Sequence, residues 1–401
     1  MRVLVLNSGS SSLKFQLMET SPERTLAHGT IEKIGETDSG VKYEAGGKAD
    51  KFRKPVPDHK EAIQAAFDCM TASEGVIGDL QEIEGVGHRV VHGGEHFHSS
   101  VLMTEDVVRQ IDALSELAPL HNPHNLKGYY ASKELLPHAS HVAVFDTAFH
   151  QTLPPSAYRY ALPEEYYSRD GIRRYGFHGT SHRYVSGRYA EIRGKSRADF
   201  KLITCHLGNG CSLCAIEQGR SVDTSMGFTP LEGLVMGTRS GDLDPGAVVY
   251  LIAHKRMTAH EVEALLNENS GLHGLSGLSG DMRDLMEKAA LGSGQAQLAI
   301  DVFCYRVKKY IGAYLAALNG ADAILFAGGI GENAPEIRRR IGDSLDSLGV
   351  RLDPAKNAAA IGTEREIGAE GTGPSIWVVP TNEEVLIARD TMCCIQGLPP
   401  S

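Results

Sequence analysis

The stretch of sequence that decides the fold is VLVLNSGSSSLKF, residues 3–15. The apolar run Val3 to Leu6 stops at six small or polar residues, Asn7 to Ser12, and a second apolar run begins at Leu13. Two apolar runs separated in this way predict a β-hairpin. Four serines, an amide and Lys14 offer more hydrogen-bond donors than a hairpin turn requires. We therefore expect the turn to bind an oxyanion such as phosphate, and the alternative is a solvated polar turn.

A second stretch, LITCHLGNGCSLCAI at residues 202–216, repeats this arrangement. An apolar strand again precedes a predicted polar turn, His206 to Gly210, and a second strand begins near Ser212. Both stretches share the order strand, polar residue, any residue, Gly, small polar residues, Leu, strand. This repetition predicts an internal duplication, with two related halves that each open on a phosphate-binding hairpin.

Alternating helices and strands fill the chain between the two hairpins. The spacing of apolar residues predicts helices over 58–74 and 104–118, the second stopped by Pro119. A buried strand is predicted to end at Asp146, and the proline-rich residues 151–163 predict a domain boundary.

The second half repeats the alternation. Residues 321–345 predict a strand, a glycine turn and a helix that Pro335 opens. Residues 375–395 predict a strand, a break at Pro380 and a helix from about Glu383, which we expect to return to the first half. These patterns predict an α/β fold in two lobes with a ligand cleft between them.

Composition narrows the classes of function. A chain of 401 residues exceeds one hydrophobic core and predicts roughly two or three domains. The net charge of −10 argues against general binding to nucleic acid or a membrane surface, because both require a basic face. We find neither a signal peptide nor an apolar run of about 18 residues, so we expect a cytoplasmic protein.

The seven cysteines are an odd number and lie mostly in apolar segments, which indicates buried, reduced thiols. Cys205, Cys211 and Cys214 lack the short paired spacing of a zinc site, so we expect thiols there. His92, His96 and His98 are interpreted as loop histidines rather than metal ligands.

Of two common nucleotide-binding motifs, the sequence contains one. The pattern GxxxxGK[ST] does not occur, which excludes a P-loop. Residues 329–334, GIGENA, fit the dinucleotide pattern GxGxxA, with Asp353 about twenty residues later. Too little chain follows for a dinucleotide fold, so a glycine turn that lets a nucleotide pass close to the backbone is the preferred interpretation.

Four further residues are candidates for a site. Arg89 and Arg239 lie among glycines and apolar residues, where a guanidinium is suited to clamp phosphate or carboxylate. Asp146 and His178 each follow an aromatic residue at a predicted strand end, where α/β proteins place site residues.

These residues converge on a known family. LNSGSSSLKF, GHRVVHGG, FDTAFH, RYGFHGTSH, CHLGNGCSL, MGTRSGDLDP, GGIGENAPEIR and TNEE, in this order over essentially the whole chain, closely resemble acetate kinase. The resemblance implies two duplicated domains of the ribonuclease-H-like, actin-like ATPase type that flank a nucleotide cleft. The implied acetate-side lobe is 1–147 with 385–401, and the implied nucleotide-side lobe is 148–384.

The resemblance also implies a reaction. It is reversible phosphoryl transfer from ATP to acetate, giving ADP and acetyl phosphate, in a homodimer. Asn7 and Glu383 match the positions of magnesium, with Mn²⁺ as an alternative, and their oxygens are ligands that Mg²⁺ prefers.

The same resemblance assigns the remaining residues. Arg89 matches the ligand of the acetate carboxylate, while Arg239 and His178 match groups that stabilise the transferring phosphoryl group. Asp146 matches the acid/base position. The positions that match nucleotide contacts are Lys14, His206, Leu207, Gly208, Asn209, Gly210, Asp281, Met282, Arg283, Gly329, Ile330, Gly331, Glu332 and Asn333. Those that match the pocket around the acetate methyl are Val91, Leu120, Phe177 and Pro230.

The acid/base role that the resemblance implies for Asp146 conflicts with the chemistry of acetate. Acetate is already ionised at neutral pH, since a carboxyl group titrates near about 4, and it has no proton to give up. We therefore expect Asp146 to orient Arg89 or another cation. Propionate kinase and butyrate kinase are the alternatives within the same chemistry, and a nucleotide-gated binding module is the alternative outside it.

Overall fold

The computed structural model describes residues 1–72, 76–371 and 373–400, and confirms a mixed α/β fold. The strands, in chain order, are β1 (Arg2–Ser8), β2 (Ser12–Thr20), β3 (Glu23–Glu32), β4 (Ser39–Ala45), β5 (Lys48–Lys54), β6 (Gly85–Val90), β7 (Val101–Leu102), β8 (Ser140–Phe145), β9 (Lys201–Leu207), β10 (Cys211–Glu217), β11 (Arg220–Thr224), β12 (Ala323–Ala327), β13 (Arg365–Glu366) and β14 (Ser375–Val378).

The helices surround these strands and vary widely in length. They are α1 (His59–Thr71), α2 (Glu105–Ala113), α3 (Asn122–Leu135), α4 (Pro155–Tyr158), α5 (Glu164–Ser168), α6 (Gly179–Ile192), α7 (Pro245–Lys255), α8 (Ala259–Glu268), α9 (Gly271–Ser276), α10 (Met282–Ala290), α11 (Gly294–Ala317), α12 (Gly328–Asn333), α13 (Pro335–Gly342), α14 (Pro354–Ala359) and α15 (Glu383–Ile395). Within the described ranges, none of these helices has the length and apolar character needed to cross a membrane.

The chain divides into two compact units. Unit 1 comprises Met1–Phe149 together with the C-terminal residues from Asn382 onward, and unit 2 comprises His150–Thr381. Each unit contains its own sheet, ordered β5-β4-β3-β2-β1-β6-β8-β7 in unit 1 and β11-β10-β9-β12-β14-β13 in unit 2.

The two sheets share a common five-strand centre, which confirms the predicted duplication. In unit 1, β3, β2 and β1 are antiparallel, and β6 and β8 then continue parallel to β1. In unit 2, β11, β10 and β9 are antiparallel, and β12 and β14 then continue parallel to β9. Both predicted hairpins, β1–β2 and β9–β10, occupy the same place in this pattern.

The C-terminal helix α15 packs on the sheet of unit 1. A side chain added at Gly87 in β6 would place its Cβ 2.4 Å from Thr391 Oγ1 and 2.7 Å from Ile387 Cγ2. Glycine at this position therefore lets the helix approach the strand closely. The lobe boundaries after 147 and 384 stay predictions.

Four local predictions need correction. The first helix begins at His59, after the N-cap Asp58, and ends at Thr71; residues 73–75, which include the end of the predicted 58–74 helix, lie outside the described residues. The helix predicted to reach residue 118 ends at Ala113, and the 3₁₀ turn Leu114–Glu116 follows it. The predicted glycine turn after β12 is the short helix α12.

The fourth correction concerns the second hairpin, whose turn is shorter than predicted. His206 and Leu207 still pair with β10, opposite Ser212 and Cys211, so the turn contains Gly208, Asn209 and Gly210.

Candidate active site

The first hairpin places two candidate residues side by side in unit 1. Asn7 at the end of β1 pairs directly with Lys14 in β2, and the exposed turn lies between them. Two side chains from outside the hairpin hold this turn. His59 donates from Nε2 to the Gly9 carbonyl at 2.7 Å, and Asn125 donates from Nδ2 to the Ser8 carbonyl at 2.9 Å.

Arg89 and Asp146 form a two-point ion pair at the ends of neighbouring strands. Arg89 lies in β6, Asp146 follows β8 directly, and these strands are parallel partners. Arg89 Nε donates to Asp146 Oδ1 at 3.0 Å, and Nη2 donates to Oδ2. Asp146 is 1% exposed and Arg89 20% exposed. A fork of this kind fixes the plane of the guanidinium as well as its charge.

Two more oxygen-bearing side chains lie against the same guanidinium. Arg89 Nη1 donates to Asn7 Oδ1 at 3.4 Å, and Glu383 Oε2 lies 3.9 Å from Arg89 Nε. Burial lowers the pKa of Arg89, but the charges of Asp146 and Glu383 outweigh burial and raise it above its ordinary value. Arg89 is therefore cationic at neutral pH.

The donor set around Arg89 fits a magnesium ion. Asn7 offers an amide oxygen and Glu383 a carboxylate, and both reach the same guanidinium. Mg²⁺ binds protein through one or two such oxygens and keeps several waters or phosphate oxygens. No cluster of three or more His, Cys, Asp or Glu side chains suited to a metal occurs among the described residues.

In unit 2, the side chains of His178 and Arg239 both lie next to Gly210. An added Cβ at Gly210 would lie 3.2 Å from His178 Nε2 and 3.7 Å from Arg239 Nη1, so both nitrogens face the space in front of Gly210. His178 is the N-cap residue of α6, with φ 56°, and not the end of a strand as predicted. Its ring stacks on His206 with 4.4 Å between centroids.

Most of the predicted nucleotide residues of unit 2 line a single cavity of about 1010 Å³. This volume suits a ligand larger than acetate, at the upper end of the usual range for small-molecule sites. The predicted residues in its lining are Gly208, Asn209, Asp281, Met282, Arg283, Gly329, Ile330 and Asn333. The structure therefore brings together three segments that are far apart in sequence.

Two of the predicted residues in the lining, Asp281 and Arg283, are charged. Asp281 caps α10 and accepts two hydrogen bonds from the Arg283 side chain, at 3.1 and 2.6 Å. The Arg283 side chain lowers the pKa of Asp281, which keeps the carboxylate ionised.

The other predicted nucleotide residues of unit 2 stand outside the lining of this cavity. His206 Nε2 would lie 3.7 Å from a Cβ at Gly208, and Leu207, Gly210 and Gly331 are neighbours of lining residues. Glu332 accepts from the Gly328 N–H at 2.7 Å and the Thr381 N–H at 3.0 Å. Glu332 thus holds the backbone around α12 in place.

The residues predicted for the acetate methyl are divided between the units. In unit 1, Val91 is buried and its N–H donates to Asn125 Oδ1 at 3.1 Å, while Leu120 is half exposed. In unit 2, Phe177 is buried and its carbonyl accepts from His150 Nε2 at 3.0 Å. The Pro230 carbonyl lies 3.5 Å from Arg239 Nη1.

Comparison with known proteins places the chain in a family. Residues 2–389 match the sequence model of the Acetokinase family. The chain belongs to the acetokinase family. The acetate kinase of Thermoanaerobacterium thermosaccharolyticum is 53% identical to it over 99% of this chain and 100% of that protein.

Two solved structures are similar to this chain over nearly its whole length. The crystal structure of Porphyromonas gingivalis acetate kinase has a TM-score of 0.93 at 44% identity, over 98% of this chain and 99% of that one. A propionate kinase from Francisella tularensis has a TM-score of 0.91 at 41% identity, over 99% of each chain.

Several residues that hold the candidate site of this acetokinase carry no signal in the sequence. His59 and Asn125 hold the first turn, and Ser212 hydrogen-bonds His178. Nothing in the sequence distinguishes these side chains from ordinary buried polar residues. Glu384 had a visible signal, because it stands beside Glu383 in the motif TNEE. Burial, and then the charge of Glu383, raise the pKa of Glu384.

Proposed function

We propose that the protein catalyses reversible phosphoryl transfer from ATP to acetate, giving ADP and acetyl phosphate. The observation that carries this proposal is the Arg89 cluster. A permanently charged guanidinium, held in its plane by the buried Asp146, lies beside the oxygens of Asn7 and Glu383. An oriented cation next to two hard oxygen ligands suits a small carboxylate that meets a metal-bound phosphate.

The nucleotide occupies the 1010 Å³ cavity of unit 2 in this proposal. The glycines at 208 and 329 allow close approach to the backbone, and Asn209 and Asn333 add amide groups that can donate and accept. Asp281 and Arg283 are held by each other at the cavity wall. Lys14 in unit 1 is the cation proposed for a nucleotide phosphate.

Arg89 binds the carboxylate of acetate, and Asp146 positions Arg89. Asp146 is not a general base, because the attacking carboxylate oxygen carries no proton at neutral pH. Its two oxygens are instead both engaged by the guanidinium. Val91, Leu120, Phe177 and Pro230 are the residues proposed to contact the methyl group.

Arg239 and His178 stabilise charge on the transferring phosphoryl group. Its three equatorial oxygens gain negative charge in an in-line, loose transition state. Fixed donors aimed at that charge lower the barrier, and Arg239 Nη1 and His178 Nε2 both face the space in front of Gly210. Asn7 and Glu383 would hold Mg²⁺, or Mn²⁺ in its place, which when bound neutralises charge on the phosphate oxygens.

Propionate is a second candidate substrate, since a propionate kinase is among the similar solved structures. One extra methylene changes discrimination by only about 1 to 3 kcal/mol. Some turnover of propionate is therefore expected beside that of acetate.

We further propose a cytoplasmic homodimer. The helix α7 and Leu243, two residues before its start, expose several apolar side chains, and homodimer interfaces are enriched in such residues. These residues are Leu243, Val249, Tyr250 and Ile252. In light scattering after gel filtration, Val249→Glu should yield monomers, whereas Leu291→Glu, on an exposed loop, should remain dimeric.

A coupled assay of ADP formation tests the activity. ADP should form only when ATP, acetate and Mg²⁺ are all present, with a higher kcat/KM for acetate than for propionate. ADP formation that is independent of acetate would favour the nucleotide-gated binding module and contradict the proposal.

A further inference from the structure

A fully buried arginine lies behind one wall of the cavity in unit 2. Arg338, on α13, is 0% exposed, although arginine is rarely buried completely unless a counter-charge pairs with it. Burial lowers the pKa of Arg338 to about 10, so the side chain is still a cation at neutral pH. Among the described residues, no carboxylate pairs with it, and its acceptors are carbonyl and amide oxygens. Burying such a cation is unfavourable, which points to a role that an uncharged side chain could not fill.

All five N–H groups of this guanidinium have an acceptor. Nη1 donates to the Gly331 and Glu332 carbonyls of α12, at 2.8 and 3.1 Å. Nε donates to Asn357 Oδ1 at 2.8 Å. Nη2 donates to the carbonyls of Asn357 and Ala360, at the C-terminal end of α14, at 2.9 and 2.6 Å. A planar fork of five donors can satisfy five acceptors at once, whereas a lysine has only three donors.

The helix α12 depends on donors from outside its own backbone. Its six residues include three glycines, which disfavour a helix, and its last carbonyls have no partner within the helix. Asn333 Nδ2 donates to the Gly329 carbonyl at 3.1 Å, and the N–H of the next residue donates to the Ile330 carbonyl at 3.0 Å. Arg338 supplies donors to the two carbonyls that follow. The guanidinium therefore completes the C-terminal end of this short helix.

The opposite side of the guanidinium is itself fixed in place. Asn357 accepts from Arg338 Nε and also donates from Nδ2 to the Pro335 carbonyl, at 2.9 Å, where α13 begins. Asn357 is buried on α14. Arg338 and Asn357 thus join the ends of three helices, α12, α13 and α14, at one buried point.

We propose that Arg338 is a positioning residue for the nucleotide: it ties the C-terminal ends of α12 and α14 together and so holds the cavity wall that Gly329, Ile330 and Asn333 form. This inference rests on the proposed function, because the nucleotide is proposed to bind in that cavity of about 1010 Å³. Arg338 lies behind the wall rather than in the lining, so it acts through α12. The Arg89 cluster belongs to unit 1, and its binding of acetate should not depend on Arg338.

The kinetic test compares Arg338→Lys with Arg351→Lys. Arg338→Lys keeps the positive charge but cannot supply all five hydrogen bonds. It should raise KM for ATP at least about tenfold, as loss of a supporting partner commonly does, and keep KM for acetate within about twofold. Arg351 is an exposed arginine of the same unit whose Nε donates to Asp346, and Arg351→Lys should keep both KM values within about twofold.

Binding of ADP, measured by isothermal titration calorimetry, tests the effect without the reaction. Arg338→Lys should weaken ADP binding at least about tenfold. Asn357→Leu, which removes the acceptor for Arg338 Nε, should weaken it at least about fivefold, whereas Asn357→Asp keeps that acceptor and should stay within about threefold. Val262→Ala, at a buried position on α8, should lower the melting temperature and leave ADP affinity unchanged, which controls for a loss of stability alone.

Hydrogen–deuterium exchange locates the change in the molecule. In Arg338→Lys, the backbone amides of residues 328–334 and 354–362 should exchange faster than in the wild type, and those of β9 should exchange at the wild-type rate. Faster exchange throughout unit 2 would indicate a general structural role and contradict the proposal.

The remaining outcomes separate the two proposals. Unchanged ADP affinity in a folded Arg338→Lys variant, or an equal rise in both KM values, overturns this inference and leaves the proposed function standing. Should Arg338→Lys fail to fold, the comparison of Asn357→Leu with Asn357→Asp decides it. Weakened ADP binding in the variants of a protein that forms no ADP from ATP and acetate would overturn the proposed function and leave the role of Arg338 standing.

Discussion

The pairing of Arg89 with Asp146 predicts strongly non-additive losses of activity. Asp146→Asn keeps the size and one acceptor oxygen, but it removes the negative charge and one of the two bonds to the guanidinium. A hydrogen bond to a charged group is worth about 1.5 to 3 kcal/mol, which corresponds to roughly 10- to 100-fold in kcat/KM for acetate. Glu383 lies 3.9 Å from Arg89 Nε and keeps part of the orientation, so measurable activity should remain.

Arg89→Ala removes the cation itself. Loss of a donor aimed at developing charge commonly costs about 3 to 4 kcal/mol, so kcat should fall at least about a hundredfold and KM for acetate should rise. The double variant should be hardly worse than Arg89→Ala, because Asp146 then has no guanidinium to orient.

Steady-state kinetics of the wild type, the two single variants and the double variant form a double-mutant cycle. This cycle gives the coupling energy between Arg89 and Asp146. Asp112→Asn, an exposed aspartate of the same unit, controls for loss of a charge alone and should match the wild type. Thermal unfolding of each variant checks that the fold is kept. Losses that multiply in the double variant would refute the orienting role and return Asp146 to an independent catalytic function.

Three more predictions concern other parts of the molecule. Arg239→Ala should lower kcat at least about a hundredfold with little change in KM for acetate, and a loss below about tenfold in steady-state assays would contradict its assignment. Val91→Ala should raise the ratio of kcat/KM for propionate over acetate several-fold, because two methyl groups leave the proposed pocket; an unchanged ratio would remove Val91 from it. Burial lowers the pKa of His141 to about 4 in the folded protein. As the pH drops, the unfolded chain therefore binds a proton at His141 before the folded protein does. The free energy of unfolding should then fall between about pH 6.5 and pH 4, by about 1.4 kcal/mol per pH unit. Urea unfolding between pH 7.5 and 5 should show a shallower loss in His141→Gln than in the wild type, whereas His260→Gln, at an exposed histidine, should keep the wild-type slope.

Several central strands of the two sheets, among them β1, β2, β9 and β10, were predictable because their chemistry is local. Val3 to Leu6 is a continuous apolar run that ends at small polar residues, and Leu202 to Cys205 is apolar except for Thr204 and ends at His206. Short apolar runs bounded by turn residues are typical of buried strands. The same holds for α15, whose start is given by Asn382 and its two following glutamates.

The errors fall where tertiary contacts override local preference. Residues 328–333 contain three glycines, which disfavour a helix, yet Glu332 reaches back to the Gly328 N–H and also to Thr381, so the segment closes as α12. His178 has a positive φ that favours no regular element, and the helix begins after it. Thr381 lies 49 residues from Glu332, so this contact is too distant in sequence to be read from a local pattern.

The candidate site also contains residues that the sequence reveals and residues that it does not. The residues proposed to face a ligand stand beside glycines and aromatic residues in short motifs, so the sequence points directly to Arg89, Asp146, His178 and Arg239. Residues that hold them come from elsewhere in each unit. Ser212 in β10 contacts the ring of His178, whereas Thr204 in the neighbouring strand β9 contacts His182 of α6. A site of this kind can be recognised from sequence by the groups proposed to bind the substrate, but the residues that hold those groups follow only from the buried contacts that the fold creates.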